Sequence, residues 1–268
     1  MDTDRVDFTG VKWGGVEWTN LVTLYLRAME SRSPHSLLRD RAADEALARI
    51  DYDFERVRRI SLPAANKFLV ALRAKRLDRW AADFLARHPG AVVLHLGCGL
   101  DSRAFRIERP AGTDWIDLDL PEVIALRRRL YSEGEGYRMV GAPVTDPSWL
   151  AAAPSGRPGL VVAEGLLMYL AESEVRELLR RLVAHFPSGE LLFDAMAPWI
   201  AGASRLYRWG MGDPHEVERW EPRLKLLAAV PLVSNHPDIP VRGLRAVYRL
   251  MNAVPVTRDM MRHCRYAF

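Results

Sequence analysis

Three short stretches bring together residue types that could act on one ligand. Leu96-Gly97-Cys98-Gly99-Leu100-Asp101 follows an apolar run, and glycines at such a turn let the backbone approach a ligand closely. Asp119 stands 20 residues after Gly99, the interval at which a nucleotide-binding βαβ unit places an acid on ribose hydroxyls. A helix-capping or solvated aspartate is the competing reading. Asp117 is a rival by position, but period-two alternation sends it to the face opposite Leu118. Glu164, in Ala163-Glu164-Gly165, leaves an apolar run, and burying it unpaired would be costly, so it belongs at a cleft or in a structural ion pair. Gly-x-Gly alone is a weak signal. The third glycine of a dinucleotide fingerprint would fall where Ser102 stands, which argues against an NAD-linked dehydrogenase.

Such residues need strand ends to carry them. Short apolar runs suited to buried strands occur at 91–96, 115–118, 137–140, 160–163 and 190–193. Helical stretches separate most of them, including 121–131 and 173–186, where Val175, Leu178, Leu179, Leu182, Val183 and Phe186 form one face. Alternating strands and helices predict a doubly wound, mostly parallel α/β sheet. Ahead of it the chain reads helical. Trp18, Leu21, Val22, Tyr25 and Met29 make one stripe, a second helix is expected over about 36–50, and a third over about 66–87 after Pro63. Residues 1–89 thus read as a helical cap and 90–268 as the binding domain. Within the latter, 195–243 reads as an insertion over the sheet with one helix at about 214–220. A helix near 244–251 and a strand near 261–268 close the chain.

Composition limits the function classes. The 268 residues are 49% apolar and 27% charged, ordinary for a globular chain that needs no disulfide or metal staple. Of the 38 basic residues 34 are arginine, with a net charge of +4. The densest basic run, Arg127-Arg128-Arg129, has no interleaved aromatics and reads as a solvated helix face, so nucleic acid is not an expected partner. The opening MDTDRVDFTG lacks the apolar core of a signal peptide, no membrane-spanning stretch is seen, and Cys98 and Cys264 are the only cysteines. A reduced, cytoplasmic protein is expected. Neither the cysteines nor the seven histidines have metal-ligand spacing, so no metal site is expected. His95 reads as a packed core residue and Cys98 as a small spacer.

Taken in order, Gly97-Cys98-Gly99-Leu100-Asp101-Ser102-Arg103, Leu118-Asp119-Leu120-Pro121-Glu122-Val123 and Ala163-Glu164-Gly165-Leu166-Leu167-Met168-Tyr169-Leu170 closely resemble the leucine carboxyl methyltransferase-like family. The resemblance is strongest to its bacterial polyketide O-methyltransferase branch, of the tetracenomycin carboxyl methyltransferase type. Arg27-Ala28-Met29-Glu30-Ser31, Leu38-Arg39-Asp40 and Arg208-Trp209-Gly210 extend it to about residues 20–268. The resemblance implies a class I methyltransferase fold and S-adenosylmethionine as methyl donor, with S-adenosylhomocysteine as product. It implies that Gly97 and Gly99 meet the cofactor through backbone, that Asp119 with Leu120 holds the ribose, and that Glu164 approaches the amino-acid portion. Arg73 matches the arginine that pairs with the cofactor carboxylate, and Arg27 a basic residue on the first helix. Where the family often has an acid near the adenine, this chain has Pro143, so Val144 or Asp146 is expected there.

The acceptor is less defined by sequence. A carboxylate is already ionised at neutral pH and needs a clamp, whereas a phenol near pKa ~10 benefits from a base. Tyr169 and Arg205, with Arg208 as the alternative arginine, are the expected clamp, amid Trp199, Tyr207, Trp209 and Met211. His215 and His236 are the candidate bases. Carboxyl methylation of a small natural-product-like acceptor is therefore the first expectation and phenolic methylation the second. A lyase or pericyclase that binds the same cofactor without methyl transfer is the reading from another class.

Overall fold

The computed structural model describes residues 5–12 and 15–268. The first four residues of the N-terminal segment discussed above lie outside the described residues. Among the described residues, seven strands form one sheet: β1 Val92–Leu96, β2 Asp114–Asp119, β3 Tyr137–Gly141, β4 Gly159–Ala163, β5 Gly189–Met196, β6 Lys225–Pro231 and β7 Met261–Ala267. Their spatial order is β3-β2-β1-β4-β5-β7-β6. The first five are parallel, and β7 runs antiparallel between β5 and β6. The winding reverses between β1 and β4, so the crevice for a ligand lies beyond the carboxyl ends of those two strands.

Alternation along the strands sets the two cores. Val92, Leu94, Leu96, Ile116, Leu118 and Val161 pack with the inward stripe of a helix over Glu172–His185. Val93, Trp115, Leu160, Val162 and Leu192 point the other way, onto the N-terminal helices. Those are α1 Val16–Ser31, α2 Arg41–Arg49, α3 Phe54–Ser61 and α4 Pro63–Arg87. Leu21 and Leu24 of α1 and Leu77, Trp80, Ala81, Phe84 and Leu85 of α4 join the same core. The cap therefore shares a core with the sheet.

Local chemistry moved several expected boundaries. The second helix starts at Arg41, because Glu30 draws 36–38 into a turn: it accepts the Ser36 hydroxyl at 2.9 Å and the Leu38 N–H at 3.3 Å. Asp40 then caps the helix by accepting the Ala43 N–H at 3.0 Å. Helix α3, not foreseen, is capped by Asp53 through the Arg56 N–H at 3.2 Å. Pro63 begins α4 instead of preceding it, as proline suits the first helical position. Residues 195–243 hold the edge strand β6, which the mixed composition hid. They also carry short helices at Pro198–Gly202 and Glu216–Trp220. A helix over Arg242–Ala253 precedes β7. No helix among the described residues is long and apolar enough to cross a membrane.

Candidate active site

A cavity of about 560 Å³ opens where the fold requires it, beyond the ends of β1, β2 and β4, with α1 and the 206–208 segment as its outer walls. Of the sequence-expected residues, Arg27, Arg73, Gly97, Gly99, Asp119, Leu120, Val144, Glu164 and Tyr169 all line it. Arg205 does not; it is exposed, and Arg208 lines the cavity in its place. Asp146 also lies outside the lining. It is exposed and accepts the Ser148 N–H at 2.9 Å.

One end of the cavity is built to meet hydroxyls. After β1 the chain turns with φ of +61° at Gly97 and +51° at Gly99, a left-handed conformation that favours glycine. The Gly99 N–H donates to Asp119 Oδ2 at 2.7 Å and the Leu120 N–H to Asp119 Oδ1 at 2.7 Å. Each carboxylate oxygen keeps a free lone pair for a ligand hydroxyl. Burial pushes the Asp119 carboxyl up from its ordinary value, against the pull of the two N–H groups.

Asp117 takes a different job. It is fully buried and accepts Trp115 Nε1 at 2.9 Å and the Tyr137 hydroxyl at 2.7 Å, and it pairs with Arg127. Burial raises its pKa, but Arg127, His95 and Tyr137 outweigh this and hold it at about 2. His95 Nδ1 lies 2.9 Å from Asp117, and Arg103 donates to His95 Nε2 at 3.2 Å. Arg127, expected on a solvated face, is fully buried and also donates to the Gly99 carbonyl at 3.1 Å. Its cation is what makes Asp117 tolerable in the core.

The other end is charged and balanced. Glu164 is buried among three arginines. It lies 2.9 Å from Arg73 Nε and 3.2 Å from Arg27, and it pairs with Arg103. Burial alone would raise its pKa, but Arg103, Arg73 and Arg27 hold it well below the usual range. Asp101 adds contacts of 3.2 Å to Arg27, 3.3 Å to Arg103 and 2.6 Å to Arg106. Asp194, on β5, accepts the Gly165 N–H and lies 3.8 Å from Arg73 Nε. Desolvating such ions costs several kcal/mol each, so only this mutual pairing makes the cluster stable. Arg27 Nε and Asp194 Oδ2 remain buried without hydrogen bonds. A cluster of both signs with a spare donor suits a zwitterionic amino-acid group. With the hydroxyl-ready Asp119 at the opposite end, the residues present fit S-adenosylmethionine.

Between these ends and solvent lies an apolar mouth. Met168, Tyr169, Met196, Leu206, Tyr207 and Met261 line it, with the Tyr169 and Tyr207 rings 5.4 Å apart. Backbone bonds from Arg208 N–H to the Met168 carbonyl and from Met211 N–H to the Met196 carbonyl, both 2.8 Å, hold this wall on the sheet. Arg208 pairs with Glu174 at 3.0 Å at the rim. Trp209 and Met211 pack into the core, and Trp199 is exposed outside the cavity. His215 pairs with Glu218 at 2.6 Å, and neither it nor His236 lines the cavity.

Arg103, Asp101 and Asp194 were not singled out by sequence reasoning. For Asp194 a signal existed: it ends the apolar run Leu191-Leu192-Phe193, the same pattern that marked Glu164. Arg103 had none, because its partners Asp78 and Glu164 are remote in sequence.

Comparison with known proteins agrees with this architecture. The family model described as leucine carboxyl methyltransferase matches residues 20–183. The chain is 44% identical to the tetracenomycin polyketide synthesis O-methyltransferase TcmP of Streptomyces glaucescens, over 96% of this chain and 98% of that one. It is 36% identical to an S-adenosyl-L-methionine-dependent methyltransferase of Gibberella zeae, over 84% and 85% of the two chains. A candidate methyltransferase from Thermobifida fusca, solved by crystallography, shares the fold with a TM-score of 0.55 at 18% identity. That match covers 90% of this chain and 93% of that one. The chain belongs to the leucine carboxyl methyltransferase family and is an S-adenosylmethionine-dependent O-methyltransferase.

Proposed function

We propose that the enzyme methylates a carboxylate of a small, flat, largely apolar acceptor related to polyketides, giving a methyl ester. One observation carries the choice of a carboxylate over a phenol: the acids and the imidazole that line the cavity are already engaged. His95 is held between Asp117 and Arg103, and Glu174 accepts the Ala171 N–H at 2.6 Å and pairs with Arg208. Asp101 and Glu164 are held by arginines, and Asp119 by two backbone N–H groups. A carboxylate, with a pKa near ~4, arrives ionised and needs no proton removed.

When bound, S-adenosylmethionine supplies a methyl group on a sulfonium, a centre with its own leaving group. The chain's work is then binding and alignment. Asp119 takes the ribose hydroxyls, and Arg73, Arg27 and Glu164 hold the amino-acid end. The Val144 wall beside Pro143 faces the adenine. Burial pushes the Tyr169 hydroxyl up from its ordinary value, so it stays protonated at neutral pH and can donate to an acceptor oxygen. Arg208 at the rim is the cation in reach of the mouth, and it takes the clamp role first expected of Arg205. The exposed Tyr169 and Leu206 form the apolar entrance.

The test compares an aromatic carboxylic acid with the phenol of the same ring as acceptor, across pH 5–9. The proposal expects turnover of the acid with kcat/KM flat above about pH 5. Preferred turnover of the phenol, rising with pH, would overturn it.

A further inference from the structure

The first helix presents its polar face to the cavity through Thr19, Asn20, Thr23 and Arg27, opposite the apolar stripe that packs on the core. Two of these side chains are spent within the helix: the Thr19 hydroxyl donates to the Gly15 carbonyl at 3.2 Å and that of Thr23 to the Asn20 carbonyl at 3.0 Å. Asn20 is different. Its Nδ2 is shut off from solvent and donates to nothing. Its Oδ1 sits 2.6 Å from where a Cβ on Gly99 would be. The second glycine of the motif thus has two tasks, to turn the chain and to seat Asn20.

Gly99 is also the residue whose N–H is given to Asp119, and the Leu120 N–H is given to the same carboxylate. A ribose hydroxyl that donates to Asp119 keeps its own oxygen lone pairs, and both of these neighbouring backbone donors are already committed. Asn20 lines the cavity beside Gly99, and its amide carries an unspent donor. A buried donor without an acceptor is costly, so the ligand-free helix carries a penalty that a hydroxyl oxygen would relieve.

We infer that Asn20 is a specificity residue for the ribose: its amide donates to a hydroxyl that Asp119 also holds, so the cap closes on the nucleoside through α1. This rests on the S-adenosylmethionine reading of the cavity.

The experiment is calorimetric titration of S-adenosylhomocysteine, and of its analogue lacking the ribose hydroxyls, into the full-length wild type, Asn20→Ala and Asn20→Asp. Thermal melts of the ligand-free proteins accompany it. The expected result is an affinity for S-adenosylhomocysteine about 5- to 10-fold weaker in Asn20→Ala. The analogue should bind both proteins alike, and the ligand-free Asn20→Ala melt should be no lower than wild type. Asn20→Asp keeps the shape but not the donor and should lose affinity in the same hydroxyl-dependent way. Equal affinity of wild type and Asn20→Ala for S-adenosylhomocysteine would overturn the inference, as would an equal loss for both ligands. Unchanged cofactor affinity with a raised KM for the acceptor would also overturn it and move Asn20 to the acceptor side. Failure of the wild type itself to bind would instead sink the cofactor reading.

Discussion

The two halves of the cavity are built on opposite principles. The proposed cofactor half stands on strand ends and is ion-paired and hydrogen-bonded. Asp119 is fixed by two backbone N–H groups, and Glu164 sits among three arginines. The proposed acceptor half stands on the 206–208 segment and carries methionines, two tyrosines and an arginine at the rim. Its side chains are partly exposed, with Leu206 at 59% and Tyr169 at 36%. A constant ligand suits the first kind of construction and a variable one the second. Methionine is flexible enough to accept different shapes, while a buried ion cluster tolerates one arrangement.

The largest expected break in that contrast is at Glu164. Glu164→Ala leaves Arg27, Arg73 and Arg103 without their shared partner. Breaking such a buried cluster costs about 3–5 kcal/mol, seen as a lower denaturant midpoint, together with loss of S-adenosylhomocysteine binding. Asp119→Ala comes next. Its carboxylate lines the cavity with a free lone pair on each oxygen, so the affinity for S-adenosylhomocysteine should fall at least about tenfold by titration, with the fold retained. Arg208→Ala should raise the acceptor KM about tenfold and leave cofactor affinity unchanged, since it touches only the mouth. Arg205→Ala should move neither, because that side chain is exposed and outside the cavity.

The smallest effect separates the two acids by the sign of their pH dependence. Burial leads at both, but at Glu164 the arginines win and depress the pKa. Its stabilising contribution is therefore present above the ordinary glutamate value and lost only in strong acid. Asp119 is raised, so its contribution is present below the ordinary aspartate value of ~4 and is lost as pH climbs through the raised value. Asp119→Asn should therefore remove this pH dependence of the ligand-free protein, while weakening cofactor binding, because the amide turns a donor toward one of the two backbone N–H groups. Thermal melts between about pH 4 and pH 7 check it.

The same contrast explains what could be read from sequence. The strand ends were legible, because apolar runs closed by Gly97, Asp119 and Glu164 join a period and a chemistry in one local pattern. The three-motif order then carried the family. Strand β6 was missed although Leu226-Leu227-Ala228-Ala229-Val230 is an unbroken apolar run: it is an edge strand with a register shift between Leu226 and Ala228, set in a stretch of mixed composition. The arginines were the hardest to place. Arg127 lies in a basic run yet is wholly buried against Asp117, and Arg103 is wholly buried against Asp78 and Glu164. Partners distant along the chain leave no local mark. In the wall of the mouth, composition marked a segment that lines the cavity, but Arg208, three positions after Arg205, is the arginine that reaches it.

The most direct test is to supply S-adenosylmethionine labelled with ¹³C in its methyl group together with an aromatic carboxylic acid that also bears a phenol. The account predicts S-adenosylhomocysteine and a labelled product that alkali hydrolyses to labelled methanol and the starting acid. A labelled product stable to alkali, or an altered acceptor with the cofactor unconsumed, would contradict it.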